Sequence, residues 1–217
     1  MTRIIDISMA IEPEMMVYKN KIEKKPKIYN FSNFQTGRTH ETRIDIDCHG
    51  GTHIDAPLHM LPDGLTVEHI QLEHLIGVCR VLDLTNVEDG ITKSDLMPHQ
   101  LQPQEWILLK TKNSYEEAFN SDFIYVKEDA AQHLIDCKIR GVGIDSLGIE
   151  RAQPEYTTHR PLFRNHIIIL EGLRLREVAA GSYFLVVAPL KLMGSDGAPA
   201  RAFLMDSFPK KMMGRDE

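Results

Sequence analysis

No stretch of this sequence is apolar for the length that a bilayer crossing demands. Its first residues, Met1-Thr2-Arg3-Ile4-Ile5-Asp6, lack the long apolar core of a secretory signal, so cytoplasmic residence is the expectation. Cysteine is scarce. Three residues, Cys48, Cys79 and Cys137, do not suggest a disulfide framework. Basic residues are outnumbered, 25 Lys and Arg against 31 Asp and Glu, and the net charge of −6 comes with no basic stripe. That balance argues against a nucleic-acid partner. The densest basic patch, Lys19 to Lys27, is interrupted by Glu23 and reads as a solvated loop or strand edge rather than an anion site. No Pro/Gly/Ser linker, low-complexity tract or solenoid-period repeat divides the chain. With 42% hydrophobic residues over 217 positions, a single domain spanning residues 1–217 is expected.

What the chain does have is one dense segment, His49-Gly50-Gly51-Thr52-His53-Ile54-Asp55-Ala56-Pro57-Leu58-His59. Three imidazoles and a carboxylate fall in it at even spacings. In an extended chain all four side chains would share one face. A helix would align His49 with His53 but turn Asp55 away, and Gly50, Gly51 and Pro57 disfavour a helix. A straight strand would leave the His49 and His53 α-carbons roughly 13 Å apart, so the segment is expected to bend at its glycines. Burying these groups together without a cation would leave several polar atoms unsatisfied, so the composition points to a divalent metal. Cys48 adjoins the cluster on the opposite face of an extended segment and reads as a buried small hydrophobe. His69, His74, His99 and His133, taken singly, read as ordinary hydrogen-bonded residues.

Periodicity gives a coarse map. Residues 3–8, 42–47, 77–84, 105–110, 142–144, 167–170, 183–188 and 201–206 read as strands. Residues 66–75 read as a short helix ended by Gly77, residues 128–138 as an amphipathic helix, and Thr92-x-x-Asp95 as a helix start. Strands outnumber short helices without a clean βαβ alternation, which suggests α/β or α+β with a mixed sheet. Glu171 ends the apolar run Ile167-Ile168-Ile169-Leu170 and reads either as a ligand or as an ordinary solvated strand end.

The pattern His-x-Gly-Thr-His-x-Asp-x-Pro-x-His resembles the metal-binding signature of the cyclase-like metal-dependent hydrolase family, which includes kynurenine formamidases and isatin hydrolases. Further similarities follow in order: Ile4-Ile5-Asp6-Ile7-Ser8, Gly143-Ile144-Asp145-Ser146, His159, Ile169-Leu170-Glu171-Gly172-Leu173, and Gly194-Ser195-Asp196-Gly197-Ala198-Pro199-Ala200-Arg201. The resemblance implies a swivelling β/β/α-type architecture, a mixed β-barrel-like sheet flanked by short helices, and assembly as a homodimer or homotetramer. It implies His49 and His53 on a first metal, Asp55 bridging, and His159 and Glu171 on a second. His166 is the rival to His159, although five residues from Glu171 it would face away from it in a continuous strand. The resemblance places His59 as the general acid/base, with support of a ligand by hydrogen bonding as the alternative. One or two ions, Zn²⁺ or Mn²⁺ foremost, with Fe²⁺ and Co²⁺ also suited to these donors, would activate water against an amide.

Formamidase-like members carry Pro-Gly-Asp after Val-Tyr or Val-Trp, whereas here Val17-Tyr18 precedes Lys19-Asn20-Lys21. Arylformamidase of the N-formylkynurenine type, placing the enzyme in tryptophan catabolism, therefore stands beside cyclic amide or lactone hydrolase. A homologue that binds metal or ligand without turnover is the third reading. Tyr18, Phe31, Phe34 and Tyr156 are the aromatic residues that could line a pocket; ordinary packing is their other role.

Overall fold

Residues buried on two sides set the frame of the molecule. The computed structural model describes residues 2–207. Its strands are β1 (Ile4–Asp6), β2 (Lys27–Ser32), β3 (Glu41–Asp45), β4 (His53–Asp55), β5 (Ile76–Asp83), β6 (Gly90–Ile91), β7 (Trp106–Lys110), β8 (Tyr125–Val126), β9 (Gly141–Ile144), β10 (Ile168–Glu171), β11 (Gly181–Pro189) and β12 (Gly197–Met205). The helices are α1 (Lys93–Leu96), α2 (Glu128–Asp136) and α3 (His159–Arg164). Strands β12, β11, β5, β7, β9, β10 and β4 pair in that order, and β4 pairs back onto β12, so seven strands close into a barrel-like ring. The neighbours among β5, β7, β9 and β10 run parallel and the remaining pairings of the ring are antiparallel. Parallel neighbours need crossovers, and the three helices lie on them. The mixed, barrel-like sheet flanked by short helices is the architecture that the family resemblance implied.

The two faces of the ring are legible in β7. Ile107 and Leu109 point to an outer core shared with Leu96, Leu134 and Leu162 from the helices. Trp106 and Leu108 point inward and meet Ile54, Leu170, Leu185 and Leu204. Gly141 in β9 is required there, because a β-carbon would lie 2.6 Å from the Trp106 ring. Burial on both faces makes such strands continuous apolar runs rather than alternating ones, which is why residues 105–110 and 167–170 were readable.

Several sequence expectations need correction. Residues 66–75 form no helix; two 3-10 turns, Val67–His69 and Leu72–His74, are separated by extended Ile70 and Gln71. The Val67 N–H donates to the Ser195 carbonyl, and Val67 and Leu75 are both drawn into the inner core. These tertiary anchors override a weak helical preference. The lysine patch, by contrast, ends at a solvated strand edge as expected: Lys27 opens β2, which among the described residues pairs only with β3, in a hairpin almost all of whose residues are exposed. Phe31 and Phe34 sit on that hairpin, 56% and 76% exposed, and neither lines the cavity described below. Cys48 is half-buried rather than buried, with its Sγ 3.2 Å from the Ser195 hydroxyl. Among the described residues no helix is long and apolar enough to cross a membrane.

Candidate metal centre

The dense histidine segment is not a single extended stretch. Only His53–Asp55 is strand; His49 lies in a turn before it, and Pro57–His59 forms a 3-10 turn after it. The reason is local. The Asp47 carboxylate accepts the His49 backbone N–H at 2.9 Å, its carbonyl accepts the Gly50 N–H, and Gly51 adopts φ +68°. The bend anticipated at the glycines is therefore present, while the one-face alignment of all four side chains is replaced by convergence from three backbone conformations.

Strand β4 is wedged between β10 and β12, and its register decides the site. Glu171 stands opposite His53 and Ile169 opposite Asp55. Side chains opposite one another in an antiparallel pair share a face. Ile54 points to the inner core, so His53, Asp55 and Glu171 face outward. There α3 begins with His159, whose Nε2 lies 3.6 Å from Asp55 Oδ2 and 3.4 Å from Glu171 Oε1. His53 Nε2 lies 3.3 Å from Asp55 Oδ1 and 3.4 Å from Glu171 Oε2. His49 Nδ1 is 2.7 Å from Asp55 Oδ1. The five side chains expected as ligands are thus brought together, and His166, the rival, is exposed and left outside.

The donor atoms fit a cation. His53 Nε2 and Asp55 Oδ2 are buried and have no hydrogen-bond partner, an arrangement costly for polar atoms unless a proton or metal ion sits among them. Two sets of three donors lie close enough to share an ion: His53, Asp55 and Glu171, and His49, Asp55 and His59. Asp55 belongs to both, as a bridging carboxylate would. The partition differs from the one implied by the family resemblance, because the geometry groups His53 with Glu171 and brings His59 into a donor set. His49 and His59 lie with ring centroids 4.0 Å apart.

The charges are balanced among buried groups. Burial penalises protonated His53, but the Asp55 and Glu171 carboxylates outweigh this and hold its pKa at about 10. Burial and the nearby Asp55 charge oppose ionisation of Glu171, yet His159 and His53 carry it down to about 2. His159 is penalised by burial and raised well above the usual imidazole range by Asp55, Glu150 and Glu171. In every case positive charge is what these carboxylates demand, and a divalent ion can replace protons in supplying it.

Two supporting acids carried no assigned role in the sequence analysis. Glu150 accepts the His159 Nδ1–H at 2.7 Å and its backbone N–H at 3.1 Å. Asp196 Oδ2 lies 2.9 Å from His49 Nε2 and 3.3 Å from His59 Nδ1. Asp196 lay within the C-terminal similarity, but its distance of 147 residues from His49 left no local pattern to reveal the contact. Nothing in the sequence singles out Glu150. Asp145, from the same set of similarities, is buried and accepts hydrogen bonds from Thr111, Asn113 and Ser114, which is a structural role.

The cluster opens onto a cavity of about 710 Å³, on whose wall His49, His59, His159 and Glu171 stand. Tyr18 and Tyr156 line it, as the sequence allowed, together with Phe119 and Phe123. Tyr18 packs edge-on against Phe119 at 5.1 Å and Phe123 at 6.4 Å.

Known proteins resemble this chain in sequence and in fold. The family model described as putative cyclase matches residues 5–151. A kynurenine formamidase of Bacillus cereus is 31% identical over 202 residues, covering 92% of this chain and 96% of that protein. A solved structure described as a predicted metal-dependent hydrolase from Bacillus stearothermophilus superposes with a TM-score of 0.88 at 53% identity, covering 95% of this chain and 100% of the other. Another, a potential metal-dependent hydrolase with cyclase activity, gives a TM-score of 0.90 at 51% identity, covering 96% of this chain and 100% of that one.

Proposed function

This chain belongs to the cyclase family, and from that premise we propose that it is a metal-dependent hydrolase cleaving the carbon–nitrogen bond of an amide, of the arylformamidase type acting on N-formyl arylamines such as N-formylkynurenine. The observation that carries the reading is the pair of orphaned buried atoms, His53 Nε2 and Asp55 Oδ2, inside a five-residue donor cluster on a cavity wall. His49, His53, Asp55, His159 and Glu171 would hold one or two divalent ions, zinc or manganese. Such an ion supplies Lewis acidity toward the substrate carbonyl and lowers the pKa of water toward about 7.

The chain's own groups supply the rest. With its Nδ1–H given to Asp196, His59 keeps Nε2 as a base within the cavity wall. It accepts a proton from the attacking water and returns it to the leaving nitrogen, so the amide yields a carboxylic acid and an amine. Asp196 orients both His49 and His59 through one oxygen. The aromatic walls favour a flat apolar substituent beside the amide.

We assign the chain also to a homodimer or homotetramer residing in the cytoplasm. Support for self-association comes from the β2–β3 hairpin, which exposes Phe31, Phe34 and Ile44 and pairs with no other described strand.

The test is elemental analysis of protein purified without chelator, then a panel of N-formyl arylamines and cyclic amides assayed with the metals found. Zinc or manganese together with release of formate is the expected result. Protein that carries metal yet hydrolyses no amide or lactone would leave a binding protein in place of an enzyme.

A further inference from the structure

The cavity mouth is cationic in a chain that is acidic overall. Lys19, Lys21, Lys24 and Arg151 line it, while the net charge of the chain is −6. Among the described residues the acids on its lining are Glu150 and Glu171, both buried at the metal cluster and both occupied by His159.

Most of the surrounding positive charge is already matched. Lys24 bonds Asp47 at 2.9 Å, Lys25 bonds Glu14 at 2.9 Å, and Lys27 lies 3.9 Å from Asp45. Arg151 is paired with Asp89 and donates to the Phe123 carbonyl. Lys21 has only exposed Glu23, at 4.0 Å. Lys19 has no carboxylate within ion-pair distance among the described residues, and its Nζ lies 5.3 Å from the Tyr18 ring centroid. The lysine patch therefore divides: Lys24, Lys25 and Lys27 are held by acids, Lys21 has only its long contact to exposed Glu23, and Lys19 lines the cavity with no such partner among the described residues.

The backbone shows that this placement is imposed. Lys19 and Asn20 hold φ of 59° and 51°, and Asn20 is fixed by donation from its amide to the Phe119 carbonyl at 3.3 Å. In the 152–156 segment, whose Ala152 and Tyr156 also line the cavity, Ala152, Glu155 and Tyr156 hold φ of 50°, 61° and 54°. Left-handed backbone is unfavourable for residues other than glycine, and such strain gathers where a structure over-determines a functional surface.

We propose that the cavity selects amides whose aromatic body carries an anionic group, such as a carboxylate, and that Lys19, assisted by Lys21, is the residue that reads this charge. The inference rests on the hydrolase reading of the metal cluster and narrows its substrate class. The aromatic walls of Tyr18, Phe119, Phe123 and Tyr156 hold the ring, the carbonyl lies toward His59, and the anion lies toward Lys19. Lys19 is exposed, so an ion pair from its ammonium to a bound anion is worth up to about tenfold in binding.

The experiment compares formanilide, neutral, with 4-formamidobenzoate, anionic, on the metal-loaded protein. The expected ratio of kcat/KM is about ten in favour of the anion. In Lys19→Met the ratio falls toward one, with the change in KM rather than kcat; Lys19→Arg restores it; Lys19→Glu turns the preference toward cationic 4-(aminomethyl)formanilide. Equal kcat/KM for neutral and anionic substrates, or a Lys19→Met variant that keeps the full ratio, overturns the proposal while leaving the hydrolase intact. Should neither amide be cleaved, the hydrolase reading falls, and calorimetric titration with benzoate decides the anion site separately. Binding weakened about tenfold in Lys19→Met sustains it, and equal binding by both proteins removes it.

Discussion

Glu150 does for His159 what the Gly51 carbonyl does for His53. Each accepts an Nδ1 proton, at 2.7 and 2.8 Å, and leaves Nε2 turned toward Asp55 and Glu171. His59 differs, because its Nδ1 faces Asp196 and its ring is partly exposed on the cavity wall. His59→Ala should therefore lower kcat by about 10²–10⁴-fold while most of the metal is retained, measured by formate release beside elemental analysis. Loss of the metal in that variant would make His59 a ligand, which its place in a donor set with His49 and Asp55 also permits. The buried charges predict a pH profile for the metal-free protein. His53 is held near pKa 10 against an ordinary 6.5, so its stabilising contribution is complete below pH 6.5 and is lost as pH rises through about 10. Glu171 is held near 2 against 4.5, so its contribution is complete above pH 4.5 and is lost as pH falls through about 2. With chelator present, the melting temperature should form a plateau between pH 4.5 and 6.5 and decline on both sides, as read by thermal scans across pH.

At the level of elements, the junction of β10 with the turn before β4 is the tightest constraint on the site. Gly172, immediately after Glu171, holds φ +70°, and a β-carbon on it would lie 2.2 Å from the Gly51 carbonyl oxygen. Thr52 reinforces the junction by donating its hydroxyl to the Gly172 carbonyl at 2.6 Å. Gly172→Ala should cost about 2 kcal/mol or more and weaken metal binding by displacing the turn that carries His49, measured by urea denaturation and a chelator competition. The sequence made β7, β10 and α2 readable because each is a strong apolar pattern of its own kind: two unbroken buried runs, and a helix burying Ala130, Ala131 and Leu134. The five donor side chains came from the family resemblance, and the fold brings those five together. The sequence did not reveal that His49, His53 and His59 come from a turn, a strand and a 3-10 turn, because Asp47 and Pro57 act through local hydrogen bonds and fixed φ that a period-2 pattern ignores. Asp196 and Glu150 were beyond reach for another reason: they meet their histidines only once the ring has closed and α3 has docked.

For the molecule as a whole, the hairpin is the feature out of keeping with the rest. Two strands with almost every residue exposed are marginal on their own in water. On the hairpin, Phe34 and Ile44 are 76% and 53% exposed, and the self-association proposed above would cover them. Sedimentation equilibrium should give a dimer or tetramer, and Phe34→Ser combined with Ile44→Thr should shift it toward monomer without unfolding the ring.

The three residues of β4 are the narrowest stave of the cask, and the hoop is fastened only where they meet β10 on one side and β12 on the other. His53 and Asp55 ride on that stave. Whatever draws them toward Glu171 should also tighten the seam between β4 and β10, so that filling the cluster and holding the ring closed support one another.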